Sequence, residues 1–227
     1  MRRLPALASI LAALVVSGSA SVSAQGDFVA PRYVSGDLPA PPVIGVSGGE
    51  VFLEVVVGAD GAVASIRTLR TTPSFTEATN EAVRGWSFTP AMQAIPPSAE
   101  VTPPTEPVSS PVFVAAMFAP PALEGPTLGE PPRDVQPASA DVPMPISAKR
   151  AGYPPRALGY GTALVEVTID DAGVVTDARI DVSSPAFDDA AIGAARAWSF
   201  RPARQDGRAI TTRAYLIFAF QQPVTGR

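Results

Sequence analysis

The sequence predicts an α+β chain of two small domains, each a three-stranded antiparallel sheet with one or two helices packed on one face, in the order strand, strand, helix, strand. Three observations predict it: the chain repeats itself at a long shift, each repeat changes from a period of two to helical spacing, and proline-rich stretches lie between the repeats.

Laid on itself, the sequence places Gly61 on Gly173 and Trp86 on Trp198, a shift of 112 residues that needs no gap from Gly49 to Ala91. Glu54 then meets Glu166, Arg67 meets Arg179, and Phe75 meets Phe187. Both copies end their helical stretch in Trp-Ser-Phe-x-Pro-Ala. A period this long marks duplicated domains and not a solenoid of short units. With 227 residues the chain has room for two small cores.

The second copy is the clearer. Ala163, Val165, Val167 and Ile169 alternate with Leu164, Glu166, Thr168 and Asp170, the pattern of a strand with one buried face. Asp171-Ala172-Gly173 supplies a turn, with the glycine free to take positive φ, before a second strand with Ala178, Ile180 and Val182 inward. A helix starts near Ser184-Pro185, with Asp188 and Asp189 favourably placed at its positive end. Phe187, Ala190, Ala191, Ala194 and Trp198 recur at helical spacing, so a small-residue face lies on the sheet and the indole closes the core. After the Asp206-Gly207 turn, Thr212 to Phe220 forms the third strand, and a short helical turn at Pro155 to Leu158 precedes the first.

The first copy follows the same plan from Glu50 to Phe118, with two irregularities. Arg70 stands where the other copy has Val182, and its third strand, near Val112 to Phe118, follows a surface loop carrying Pro96, Pro97, Pro103, Pro104 and Pro107. The expected organisation is a leader over 1–24, a degenerate domain over 25–118, a spacer of polyproline II character over 119–145, and a second domain over 146–227. The leader reads as an export signal: Arg2 and Arg3, an apolar run from Leu4 to Val16, and a small-residue site at Val22-Ser23-Ala24. That run is shorter than the roughly 20 residues of a spanning helix.

Composition excludes several functions. The formal net charge is -4, which argues against nucleic acid, since phosphate binding needs a clustered basic surface. The chain has no cysteine and no histidine, so disulfides, thiolate nucleophiles, Ser-His-Asp triads and Cys/His metal sites are ruled out. The remaining carboxylates and hydroxyls form no recognisable catalytic constellation, and neither an enzyme nor a cofactor is expected. Asp170-Asp171-Ala172-Gly173 lacks the ligand spacing of a calcium loop.

The stretch Tyr153-Pro154-Pro155-Arg156-Ala157-Leu158-Gly159, the turn Asp171-Ala172-Gly173-Val174-Val175, and Trp198-Ser199-Phe200-Arg201-Pro202-Ala203 followed by Asp206-Gly207-Arg208 resemble the C-terminal domain of the TonB family. The likeness spans about 148–221. The first copy shares the Asp60-Gly61-Ala62-Val63 turn and the Trp86 motif, and of the Tyr-Pro opening it keeps only Pro42. The resemblance implies a periplasmic protein whose edge strand pairs with an extended peptide, the TonB box of an outer-membrane transporter, by strand addition. It places the receiving edge on the last strand, with Arg213, Tyr215, Ile217 and Ala219 along it, and aligns Arg150, Tyr153 and Pro154 with the family's receptor-contacting segment. Family transducers carry a histidine-bearing inner-membrane helix, whereas this chain has no histidine and opens on what reads as a cleavable signal, so it is not expected to transduce energy alone.

Two other readings stand beside peptide capture: an envelope scaffold whose tandem domains tether partners without a transport role, and a membrane-anchored transducer with a short anchor. Sheet edges also allow domain-to-domain or chain-to-chain pairing. Trp86 and Trp198 are read as core, and Glu54 and Glu166 as a solvated sheet face. N-terminal sequencing of the exported protein should find Gln25 first; an intact Met1 would favour the anchored reading.

Overall fold

The computed structural model describes residues 28–40, 48–94, 105–120 and 139–222. The leader, Pro42, the prolines at 96, 97, 103 and 104, and most of the spacer lie outside these residues.

The first copy contains β1 (Arg32–Ser35), β2 (Gly49–Val57), β3 (Val63–Arg70), α1 (Phe75–Arg84), β4 (Ser87–Thr89) and β5 (Ser110–Phe118). The second repeats the series as β6 (Met144–Ser147), β7 (Gly161–Ile169), β8 (Val175–Val182), α2 (Asp188–Ala195), β9 (Ser199–Arg201) and β10 (Thr212–Phe220). In both, the first long strand lies between the second and the last, all antiparallel. This is the α+β arrangement the alternation predicts.

The repeated glycines hold the turns. Gly61 and Gly173 adopt φ of 81° and 85°. A Cβ on either would come within 2.0 or 1.8 Å of the carbonyl oxygen of Phe88 or Phe200, so only glycine fits. Close approach lets each glycine carbonyl accept the N–H of that same phenylalanine, at 2.8 and 2.9 Å. Each hairpin is thereby tied to the residue two past its tryptophan, which explains why glycine and Trp-Ser-Phe recur together. Trp86 and Trp198 are buried as expected. Their indole N–H groups donate to the carbonyls of Asp37 and Lys149, both at 2.8 Å. Those acceptors are themselves equivalent in the repeat, which thus extends upstream of Gly49 to β1 and β6, strands that pair with β4 and β9. Each copy therefore opens with a strap laid beside its helix end.

Three local expectations change. Pro155 to Leu158 forms a turn, closed by the Ala157 N–H on the Pro154 carbonyl at 3.0 Å, and does not continue as a helix. The described end of the proline-rich insertion is ordered, with Thr105–Val108 pairing antiparallel with Ala91–Ala94. Val182 does not face its own helix, because a bulge at Asp181 turns the strand; the equivalent bulge at Leu69 sends Arg70 to the corresponding face.

The largest departure concerns the last strands. β5 and β10 pair with each other in parallel, Ala214 opposite Phe113 through Ala219 opposite Phe118. The two small sheets thus become one six-stranded sheet in the order β8-β7-β10-β5-β2-β3. Parallel neighbours of equal role are related by a near two-fold axis along the strands, so the copies present opposite faces and α1 and α2 cover opposite sides of the sheet. Each core is shared. On the α2 side Val165, Val167, Trp198 and Leu216 meet Phe52, Phe113 and Ala115 of the first copy. On the α1 side Val51, Leu53, Trp86 and Val114 meet Leu164, Tyr215 and Ile217 of the second.

A sheet and two cores that cross the copy boundary should unfold as one unit. The copies carry one tryptophan each, so Trp86→Phe and Trp198→Phe variants report from opposite halves. In each, the urea midpoint seen by the remaining tryptophan should coincide with that seen by circular dichroism. Leu216→Ala should lower stability by about 2–5 kcal/mol in that single transition. Two separated transitions would show independent halves.

Candidate functional site

The functional expectation rested on an open edge at the last strand, and the structure corrects it. β10 is hydrogen-bonded to β7 on one side and to β5 on the other. The reason lies in composition: Val112–Phe118 and Ala214–Phe220 are apolar on both faces, and a strand of that kind is stable only with neighbours and cover on every side. Each last strand supplies what the other needs. Domain-to-domain pairing, one of the alternatives for the edges, is what occurs.

Four predicted contact residues lie along this seam. Ile217 and Ala219 are buried in the shared core with Leu164, Val114 and Ala116. Tyr215 is fully buried; its hydroxyl accepts the Tyr33 N–H at 3.0 Å and donates to the Pro31 carbonyl at 2.9 Å. Arg213 donates through Nη1 to the Ala30 carbonyl at 2.8 Å. Arg150 likewise serves the copy boundary, because its guanidinium binds Glu50 of the first copy, with Nε 3.1 Å from Oε1. Tyr153 and Pro154 stand apart in the loop before β7: the Tyr153 hydroxyl donates to the Gly159 carbonyl at 2.9 Å and its ring meets Phe187 edge-on at 5.5 Å.

Glu54 and Glu166 are not on a solvated face. They are 8% and 4% exposed, because the strap of the opposite copy covers each. Glu54 pairs with Arg67 and accepts the Ser139 N–H, from just ahead of β6, at 2.9 Å. Glu166 accepts Arg179 Nε at 2.9 Å and has Arg213 at 3.4 Å and Arg32, from β1, at 3.7 Å. Each strap stays paired with its own copy and also reaches the repeated glutamate of the other. A buried carboxylate needs such partners to remain charged.

Around Glu166 the arrangement forms a cluster of Arg32, Tyr33, Arg179, Asp181, Arg213 and Tyr215. Arg179 Nη2 reaches Asp181 Oδ1 at 2.7 Å, while Oδ2 is buried with no hydrogen-bond partner among the described residues. Burial pushes the Asp181 carboxyl up to about 6, the Glu166 charge adds to this, and Arg179 opposes it. Burial and then Glu166 also raise the Tyr215 hydroxyl far above its usual range. Tyr33 is raised by burial and by the charges of Asp181 and Asp37, and Arg179 by its hydrogen bond to Glu166. The first copy has Leu69 at the bulge and Phe113 where the second has Tyr215, so its counterpart is simpler. Sequence reasoning passed over Arg32, Tyr33, Glu50 and Asp181. The signal for them was the pair of doubly apolar last strands, which require covered faces and hence polar contacts at the cover's rim.

Among the described residues no group of three or more Asp, Glu, His or Cys side chains is placed to hold a metal, and no helix is long and apolar enough to cross a membrane. A family model described as the Gram-negative bacterial TonB protein C-terminal matches residues 47–105 and 149–221, more than half of the chain. A search of curated proteins finds no match.

Asp181 gives the seam a pH dependence. Its folded pKa, about 6, exceeds the ordinary 3.8, so the fold favours the protonated form. The contribution is fully present below the ordinary value and is lost as pH rises to about 6. Asp181→Asn should therefore match the parent's stability in acid and exceed it above the folded pKa by on the order of 2 kcal/mol, read from urea midpoints across pH. An equal offset at every pH would remove the titration from the account.

Proposed function

The chain belongs to the TonB C-terminal family, and from that premise we propose that it is a periplasmic interaction protein of the cell envelope that works as one closed tandem body. The family is envelope-associated, and its domains interact in general with outer-membrane transporters. One observation carries the closed reading: the strand on which an extended peptide would add already has a strand on either side.

A peptide could reach β10 only by displacing β5. That would uncover Tyr215, Leu216, Ile217 and Phe218, all buried, and separate two cores that both copies build. Burial of each such side chain contributes about 1.5–3 kcal/mol, more than the backbone bonds of a short peptide return. The outer strands β3 and β8 are poor substitutes. Each bends at a bulge and carries charge, with Arg67 and Arg70 on one and Asp177, Arg179 and Asp181 on the other, features that discourage strand addition. Partners, outer-membrane transporters or other envelope proteins, are then met by side-chain surfaces and loops. The role is that of an accessory scaffold without catalysis.

The test is an NMR titration of the intact mature chain with TonB-box peptides from outer-membrane transporters of the same organism. Amides of Arg213 to Phe220 should not shift. Shifts concentrated there, with loss of the β5–β10 pairing, would restore peptide capture and overturn the closed reading.

A further inference from the structure

We propose that the loop from Tyr153 to Tyr160 is a finger that docks on an anionic phospholipid surface. It displays two large apolar side chains to solvent, Leu158 at 82% and Tyr160 at 83% exposure, the highest among the exposed large hydrophobic residues described. Scattered apolar residues are ordinary on a surface, but these two flank a single glycine in a loop that the fold holds rigid.

Four contacts hold it. Ala157 points inward to the core, its N–H closes the turn on Pro154 at 3.0 Å, and the Tyr153 hydroxyl binds the Gly159 carbonyl at 2.9 Å. Gly159 takes φ of 79°, and its N–H donates to Gln222 Oε1 at 2.9 Å, tying the loop to the end of β10. The backbone that carries the apolar pair is thus held before any partner arrives, which lowers the ordering cost of binding.

Charge selects the partner. Although the chain is acidic, no Asp or Glu occurs between Val142 and Val165, a stretch that holds Lys149, Arg150 and Arg156. Arg150 is committed to Glu50, while Lys149 and Arg156 are exposed. A stretch that exposes leucine and tyrosine together with lysine and arginine matches a bilayer interface, where apolar groups enter the acyl boundary, the phenol sits at headgroup level and the cations meet phosphate. At the positions equivalent to Arg156, Leu158 and Tyr160 the first copy has Ile44, Val46 and Gly48, with no cation and no phenol among them.

The experiment is flotation of the intact mature chain with vesicles of phosphatidylethanolamine and phosphatidylglycerol, compared with vesicles of phosphatidylcholine. The parent should float with the anionic vesicles and less with phosphatidylcholine; equal flotation with both would overturn the selection by charge. Leu158→Ser with Tyr160→Ser should reduce the bound fraction by about tenfold or more, and Arg156→Glu should weaken it with the anionic vesicles while the urea midpoint is unchanged. A parent that stays with the soluble fraction, or a double variant that floats as well as the parent, would overturn the proposal.

Discussion

Two strands that cannot be left open to water pair with each other, and most of the molecule is arranged around that fact. A run such as Ala214 to Phe220 has no polar face to offer solvent, so it needs a hydrogen-bonding neighbour on each side and a layer of side chains above and below. A single copy has only one helix and covers only one face. Pairing β5 with β10 in parallel turns the second copy over, so that α1 covers one side of the sheet and α2 the other. The shared cores and the crossed straps follow from that one pairing.

The buried ionic groups are its consequence at the boundary. Glu54 and Glu166 stand on the strand face turned away from their own helix, the face that the partner copy covers. Charged groups there would be costly if left alone, and arginines from the same sheet and from the opposite strap compensate them. Such a network adds little to net stability compared with apolar packing, but it fixes how the copies register, since a slipped seam would leave carboxylates buried without arginine. The first copy keeps a plain version of the network and the second an elaborate one, with Tyr215 and Asp181 in place of Phe113 and Leu69.

Most of each copy was legible in the sequence. Alternation placed β7, helical spacing placed α2, and the recurrence of glycine with Trp-Ser-Phe marked a bond between hairpin and helix end that the structure displays. What remained hidden was the relation between the copies. Reading Glu166 as solvated assumed a sheet with one wet face, a fair inference for three strands and one helix but wrong once a second copy supplies the other cover. The unbroken apolar runs of the last strands contained the correction, because an edge strand is expected to alternate or to carry charge. Bulges stayed illegible, since nothing in Arg-Ile-Asp-Val announces that Asp181 takes an extra place. The straps were hidden for a similar reason: β1 and β6 share a position in the repeat but almost no residue identity.

The covalent link between the copies has a consequence of its own. Two identical chains meeting through such a seam would form a dimer whose folding depended on how often they met, and dilution would undo it. Joined in one polypeptide, each half finds the other at an effective concentration of roughly millimolar or above, whatever the amount of protein present. Identity between the halves then ceases to be required. A symmetric dimer must accept every mutation twice, whereas here one half carries a phenol and a second acid at its boundary where the other carries hydrocarbon, and the molecule is lopsided without losing its partner.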